Sequence, residues 1–283
     1  MLRPRIIPCL LMRKGGLVKT VRFGEAKYVG DPLNAVRIFN EKEVDELTVL
    51  DIDATVQARE PNYDLIRKLA GECRMPLCYG GGVNTVEQFQ RLIGLGVEKV
   101  AISTAAIDRA DLVAEASSRV GSQSVVVVMD VKKVEGRYRL CMNNGTYVTP
   151  FEPADFARRM QENGAGEIVI NNIDCDGMMR GYDLELVAKV RVAVTLPMTI
   201  IGGAGTLKDI ATLFQTFGLI GAAAGSLFVF KGFYKAVLIN YPNRAEREAL
   251  AMQAADGAKS EQNRYNCMKK TEESRSPIAG DSA

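Results

Sequence analysis

At 283 residues the chain is long for one small domain and ordinary for a single α/β barrel, which takes about 250 residues. Lys plus Arg number 36 against 34 Asp plus Glu, so the net charge of +2 argues against a nucleic-acid or membrane-binding surface, and 47% hydrophobic residues suffice for a sizeable core. With no histidine at all, a Ser-His-Asp or Cys-His nucleophile, a His-ligated zinc and a histidine proton shuttle are excluded, and acid/base work falls to Asp, Glu, Lys, Tyr or Cys.

The six cysteines (Cys9, Cys73, Cys78, Cys141, Cys175, Cys267) form no C-x-x-C pair and no metal spacing. The opening MLRPRIIPCLLMRKGG lacks the apolar core of a secretory signal, and no apolar run approaches the ~18 residues of a membrane span. A cytoplasmic protein with free thiols, no metal and no cofactor is the expectation.

In chain order, eight short apolar runs read as strands: RIIPCLL, DELTVLDI, MPLCYG, EKVAIS, SVVVVMD, EIVINNI, MTIIGG and LIGAAAG. Amphipathic stretches lie between most of them, with helix starts such as Asp31-Pro32 and Pro153-Ala154-Asp155, and Gly164 as a stop. Eight βα units predict a closed (β/α)8 barrel over residues 1–242. An open doubly wound sheet is the alternative, but the dinucleotide fingerprint G-x-G-x-x-G is absent after the first strand. Residues 12–30 read as a long basic loop, and 131–149 as a hairpin turning at Asn143-Asn144-Gly145. From Asn243 to residue 283 the periodicity fades into a polar tail, read as frayed helix and then disorder, with no function assigned.

The two halves repeat. MPLCYGGGVNTVEQF (75–89) matches LPMTIIGGAGTLKDI (196–210), and DELTVLDIDAT (45–55) matches GEIVINNIDCD (166–176), both at an offset of 121, since 196 − 75 and 166 − 45 agree. The first and fifth strands align at 119, which sets Leu11 opposite Asp130. The chain reads as a duplicated half-barrel.

The repeat doubles one chemical device. Gly81 and Gly82 after the third strand, and Gly202 and Gly203 after the seventh, each precede a helix, and Ser103-Thr104 and Gly225-Ser226 follow the next strand in each half. Backbone N–H groups beside a helix N-terminus cradle phosphate, so two copies suggest a ligand with a phosphate at each end. The plain alternative is that these glycines only permit tight turns. Asp51, Asp53, Asp130, Asp174 and Asp176 are the carboxylates at strand ends; Asp53 and Asp174 read as structural, capping loops or binding Lys19. Arg5, Glu46, Lys99 and Glu167 open their strands and converge on the barrel floor, where pattern alone favours a stabilising ring of ion pairs.

Together RIIPCLLMRKGGLVKT, DELTVLDIDAT, the two glycine turns, STAAI, GSQSVVVVMDVK, NGAGEIVINNIDCDGMMRGYD and GGAGT resemble the cyclase subunit of imidazole glycerol phosphate synthase, over residues 1–240. The resemblance implies a (β/α)8 barrel, a bisphosphate substrate, and ammonia from a separate glutaminase subunit docked on the barrel's N-terminal face. It turns the Arg5, Glu46, Lys99, Glu167 ring into an ammonia gate. It places Lys19, Asp51, Asp176 and Gly177 at the substrate, Gly81, Gly82, Ser103, Thr104, Gly202, Gly203, Gly225 and Ser226 around the phosphates, and Asp130 as a catalytic residue.

The family's other catalytic aspartate is absent, because Leu11 stands there. Ser103 replaces an expected Asn, Ile201 an expected Ser, and Asn171-Asn172 the expected small hydroxyl residues. This pattern resembles paralogues encoded with surface-polysaccharide genes. It implies a synthase subunit that uses ammonia in amidino-sugar formation on a phosphorylated or nucleotide-linked sugar. The histidine-pathway cyclase is the second reading, and a noncatalytic phospholigand-binding activator of the glutaminase the third.

Overall fold

The computed structural model describes residues 3–232 and 234–254. The first half runs β1 (Arg5–Arg13), β2 (Gly16–Lys19), β3 (Lys27–Gly30), α1 (Pro32–Glu41), β4 (Leu47–Asp51), α2 (Tyr63–Glu72), β5 (Leu77–Gly80), α3 (Val86–Gly94), β6 (Lys99–Ile102), α4 (Thr104–Asp108) and α5 (Asp111–Val120). The second runs β7 (Val125–Val134), β8 (Arg137–Met142), β9 (Tyr147–Val148), α6 (Pro153–Glu162), β10 (Glu167–Asn172), α7 (Leu184–Arg191), β11 (Met198–Ile201), α8 (Leu207–Phe217), β12 (Gly221–Ala224) and α9 (Ser226–Val229).

Strands β1, β4, β5, β6, β7, β10, β11 and β12 are parallel neighbours, and β12 returns to pair with β1, Arg5 opposite Gly221. The fold is therefore the closed (β/α)8 barrel. Alternation along β1 explains the two cores. Ile6 and Leu10 join the large outer core under the helices, whereas Ile7 and Cys9 join a smaller inner cluster with Cys78, Val126, Val128 and Ile201.

Helix starts follow local chemistry. The Asp31 side chain accepts from Asn34 N–H at 2.9 Å ahead of Pro32. Thr85 with Gln88 and Thr206 with Asp209 form capping boxes at α3 and α8, one device in two copies 121 residues apart. Residues 244–254 are helical, and Leu250 and Ala254 pack into the outer core; residues 255–283 lie outside the described residues.

Two loop expectations need correction. Residues 12–30 are not a plain loop: β1 continues to Arg13, turns at Lys14-Gly15 (φ 51° and 78°), and pairs antiparallel with β2, which pairs with β3. The second hairpin turns at Glu135-Gly136 (φ 49° and 77°), and Asn143-Asn144-Gly145 makes the next turn, from β8 to β9. A two-residue hairpin turn with both φ values positive matches strand twist and needs glycine at only one position, so a Lys-Gly or Glu-Gly pair serves as well as Asn-Gly.

Register justifies the offset of 119 at β1. Leu11 lies opposite Leu50 and Asp130 opposite Asn171, while Leu50 and Asn171 are 121 apart. The two turns are also 121 apart, because the strand beyond Asp130 is two residues longer than the strand beyond Leu11.

Candidate active site and barrel axis

Arg5, Glu46, Lys99 and Glu167 meet on the barrel floor. Lys99 Nζ lies 2.8 Å from both Glu46 Oε2 and Glu167 Oε2, and Arg5 donates to Glu46 and, at 2.6 Å, to Glu167. Both glutamates are 4% exposed. Burial alone would raise the Glu167 pKa, but Arg5 and Lys99 outweigh it and hold the carboxyl at about 2. The Thr199 hydroxyl also donates to Glu167 at 2.6 Å. The ring alternates two cations with two anions, so each carboxylate is shared.

Above the ring the axis is apolar. A cavity of about 10 Å³ is lined by Glu46 and Glu167 below, Thr48, Cys78 and Thr199 at mid-height, and Leu50, Ala101, Val128 and Ile201 above. That is room for about one water-sized molecule.

Beyond it lies a mouth cavity of about 350 Å³, whose wall shares Leu50, Ala101 and Val128 with the axial space. Its lining includes Leu11, Asp51, Gly81, Gly82, Ser103, Thr104 and Asp130, which brings together strand ends from both halves. Asp130 Oδ1 accepts from Asn171 Nδ2 at 2.9 Å, and Oδ2 accepts from the Ser103 hydroxyl at 3.1 Å. Burial raises its pKa to about 6, with the two hydrogen bonds opposing the shift, so near neutrality it is poised to exchange a proton. Leu11 offers no counterpart.

The glycine turns have a firm backbone reason. Gly81, Gly82, Gly202 and Gly203 all take positive φ, from 75° to 118°. A methyl at Gly81 would collide with the Asp51 carbonyl, and one at Gly203 with the Gly181 carbonyl. The short helices α4 and α9 have Ser103 and Gly225 as their N-cap residues, with no side-chain capping hydrogen bond at either. Ser103 and Thr104 enter the mouth wall beside the first turn, whereas Gly202, Gly203, Gly225 and Ser226 lie at the ends of β11 and β12, outside the lining of this cavity.

Lys19, Asp176 and Gly177 gather on another side. Lys19 is buried, and its Nζ donates to the Cys9 carbonyl at 2.5 Å; burial pushes its pKa down, partly offset by Cys9 and Asp176. A side chain at Gly225 would displace that ammonium. Asp176 accepts from the Thr20 hydroxyl at 3.0 Å, Arg22 N–H donates to the Asp176 carbonyl, and Gly177 (φ 67°) leaves room for the Thr20 carbonyl. Asp51 accepts from the backbone N–H groups of Asp53 and Ala54 and lies 3.5 Å from Arg59. Asp53 pairs with Arg13 at 3.0 Å, and Asp174 accepts from Lys133 N–H at 2.8 Å, so both hold loops, and neither binds Lys19. Among the described residues no group of three or more His, Cys, Asp or Glu is placed to hold a metal, and no helix is long and apolar enough to cross a membrane.

Residues 5–234 match the family model described as histidine biosynthesis protein. The chain belongs to that family. A Leptospira interrogans relative, "Putative imidazole glycerol phosphate synthase subunit HisF", is 54% identical over 88% of this chain and 99% of its own. A Vibrio vulnificus relative with the same description, as subunit hisF3, is 56% identical over 88% of this chain and 96% of its own. "Imidazole glycerol phosphate synthase subunit HisF" of Alkaliphilus metalliredigens is 40% identical over 81% of this chain and 91% of its own. The chain is thus a HisF-like member of the histidine biosynthesis family.

Several lining residues went unseen in the sequence. Arg13, Phe23, Asn143, Asn144 and Thr146 enter the mouth from the two hairpins, and Asn144 Nδ2 donates across it to the Ile52 carbonyl at 2.6 Å. Their only signal was position after a barrel strand. Thr199 was also missed, although a hydroxyl near the start of the seventh strand marked a polar, inward-facing position.

Proposed function

We propose that the chain is the ammonia-using synthase subunit of a two-subunit enzyme, with a glutaminase docked on the barrel's N-terminal face. One observation carries this reading: a shared-charge ring on the floor, an apolar axial cavity and the Asp130 carboxyl lie in line, and the two cavities share Leu50, Ala101 and Val128. An apolar axis suits neutral ammonia over ammonium, since an unpaired charge in a low-dielectric interior is costly. Ring side chains that trade partners would open the floor without leaving a charge unpaired.

At the mouth, Gly81, Gly82, Ser103 and Thr104 would hold one phosphate of the ligand, and Gly202, Gly203, Gly225 and Ser226 a second. Lys19, Asp51, Asp176 and Gly177 would frame the rest. Asp130 would exchange the proton, and Leu11 takes away the facing acid of a cyclase. We infer that the acceptor is a phosphorylated or nucleotide-linked sugar and the product an amidino sugar of a surface polysaccharide such as O-antigen. The second reading, histidine-pathway ring closure, is favoured by the names of the relatives. Loss of one member of an acid/base pair costs typically 10²–10⁴-fold, which weighs against it.

Two experiments test this. Expressed in a cyclase-deficient histidine auxotroph, the chain is expected to give no growth on minimal medium, and near wild-type growth would sink the sugar reading. Mixed with a glutaminase subunit of the imidazole glycerol phosphate synthase type, the chain should raise glutamate release from glutamine. No stimulation would reject the two-subunit enzyme, and stimulation with no product dependent on Asp130 would favour the noncatalytic activator.

A further inference from the structure

Strand pairing between β1 and β4 stops short of the barrel floor. It runs from Cys9 opposite Thr48 to Met12 opposite Asp51, whereas β1 stays paired with β12 down to Arg5 opposite Gly221. In a parallel ladder every second residue turns its N–H and C=O to the same neighbour, so Ile6 and Pro8 both face β4, and Pro8 has no N–H to give. At this open end side chains take over from the backbone. Asp45, in line with Ile6 at the offset those pairs share, accepts from Ile6 N–H through Oδ2 at 2.9 Å. The Tyr241 hydroxyl donates to the Ile6 carbonyl at 2.8 Å and accepts from Asp45 N–H at 3.2 Å. One hydroxyl thus uses its proton and a lone pair to tie the two strand ends together.

The phenol is itself fixed. Its ring packs on Phe228, with centroids 5.4 Å apart, and the Arg247 guanidinium lies 5.5 Å from its centroid while donating to the Lys42 and Glu43 carbonyls. Burial raises the hydroxyl's pKa, so its proton stays available to Ile6. The residues it joins, Ile6 and Asp45, are the chain neighbours of Arg5 and Glu46, which form the ion pair of the floor ring that spans this gap.

We propose that Tyr241 is a positioning residue for the floor ring: its hydroxyl holds the ends of β1 and β4 at the spacing that keeps Arg5 on Glu46. The inference deepens the ammonia-using reading above and rests on it for its purpose, because a ring that passes ammonia has to part and close again. Splaying the two strand ends to part Arg5 from Glu46 breaks the Tyr241 bridge, so the bridge sets how rarely the floor opens. Without the hydroxyl, the open form gains by the worth of the lost bonds.

Cys78 reports that opening, since it is 3% exposed and lines the axial cavity above Glu46 and Glu167. The full chain is treated with methyl methanethiosulfonate, a small neutral thiol reagent, and modification of Cys78 is followed by peptide mass spectrometry. A buried thiol reacts only through opening, and where reclosing is fast its rate tracks the opening equilibrium. Tyr241→Phe keeps the ring on Phe228 and removes only the hydroxyl. It should speed Cys78 about three- to tenfold, the usual worth of one hydrogen bond. Asp45→Ala, which removes the other bridge to Ile6, should also speed Cys78 and covers the case in which the phenylalanine variant does not fold. Tyr138→Phe is the matched control. It loses a hydroxyl bonded to Asp183 at 2.9 Å on the β7–β8 hairpin, away from the floor, and should leave the Cys78 rate unchanged.

An unchanged Cys78 rate in Tyr241→Phe and Asp45→Ala overturns the proposal. A rate raised equally by both tyrosine variants also overturns it, because the floor then opens only when the whole barrel unfolds. Glutaminase stimulation by the wild type is read separately. Stimulation together with an unchanged Cys78 rate rejects the role of Tyr241 and spares the two-subunit reading. The reverse result rejects that reading and leaves Tyr241 positioning a purely structural ring.

Discussion

Replacing Lys99 with Met removes one of the two cations that Glu46 and Glu167 share. Lys99 Nζ lies 2.8 Å from each carboxylate, and both glutamates are buried, so the variant leaves two buried anions facing Arg5 alone. Breaking a buried ion pair costs about 3–5 kcal/mol. The Lys99 side chain is 19% exposed and Arg5 still bridges both carboxylates, which reduces the expected loss to about 2–3 kcal/mol. At about 2–4 °C per kcal/mol for a domain of this size, the melting temperature should fall by roughly 4–12 °C at pH 8. The sign of the pH dependence follows from Glu167. Its folded pKa, about 2, lies below its ordinary 4.5, so its stabilising contribution is present above 4.5 and disappears as pH falls toward 2. The gap between wild type and Lys99→Met should therefore be full at pH 8 and shrink steadily below about pH 4.5. Circular-dichroism melts from pH 3 to pH 8 measure it. A gap of equal size at both ends of that range would refute the electrostatic account and leave lost side-chain packing as the cause.

Asp130→Asn should raise the melting temperature at pH 8 and leave it unchanged near pH 4. A carboxyl whose folded pKa is raised from 3.8 to about 6 contributes stability at low pH that is lost as pH rises through 6, a difference of at most about 3 kcal/mol; calorimetric melts at the two pH values decide it. Leu11→Asp places a second carboxylate in the mouth wall, so this variant should melt lower at pH 8 than at pH 5 relative to wild type. Crystals grown in sulfate are expected to show anions near Gly82 and near Gly203, and Gly203→Asp should sharply weaken phosphate binding in calorimetry; unchanged binding rules that turn out as an anion site. If the floor ring passes ammonia, Lys99→Ala should alter turnover with glutamine and the glutaminase more than turnover with ammonium salt; equal loss in both, with a lowered melting temperature, returns the ring to a purely structural role.

The amino-acid sequence by itself determined the strands, most helix starts and the duplication. Each is a short-range pattern: alternating apolar residues, Asp31 before Pro32, Thr85 before Gln88, and equal offsets of 121. It also supplied the ring residues, since Arg5, Glu46, Lys99 and Glu167 each stand at the start of a strand, and strands of a barrel bring their starts to one face. Hairpin β1–β2 escaped the reading, and the hairpin expected over 131–149 was given the wrong turn, because a Lys-Gly or Glu-Gly pair looks ordinary until both φ values are known. The repeat already set Leu11 opposite Asp130 in the sequence, but the register that explains the offset of 119, through strand partners 39 and 41 residues away, came only with the closed barrel. The Tyr241 bridge had no local signature either. Whether a hydroxyl late in the chain is solvated or ties two strands together depends on neighbours such as Ile6 and Asp45, which lie 235 and 196 residues away in sequence and become neighbours only when the barrel closes.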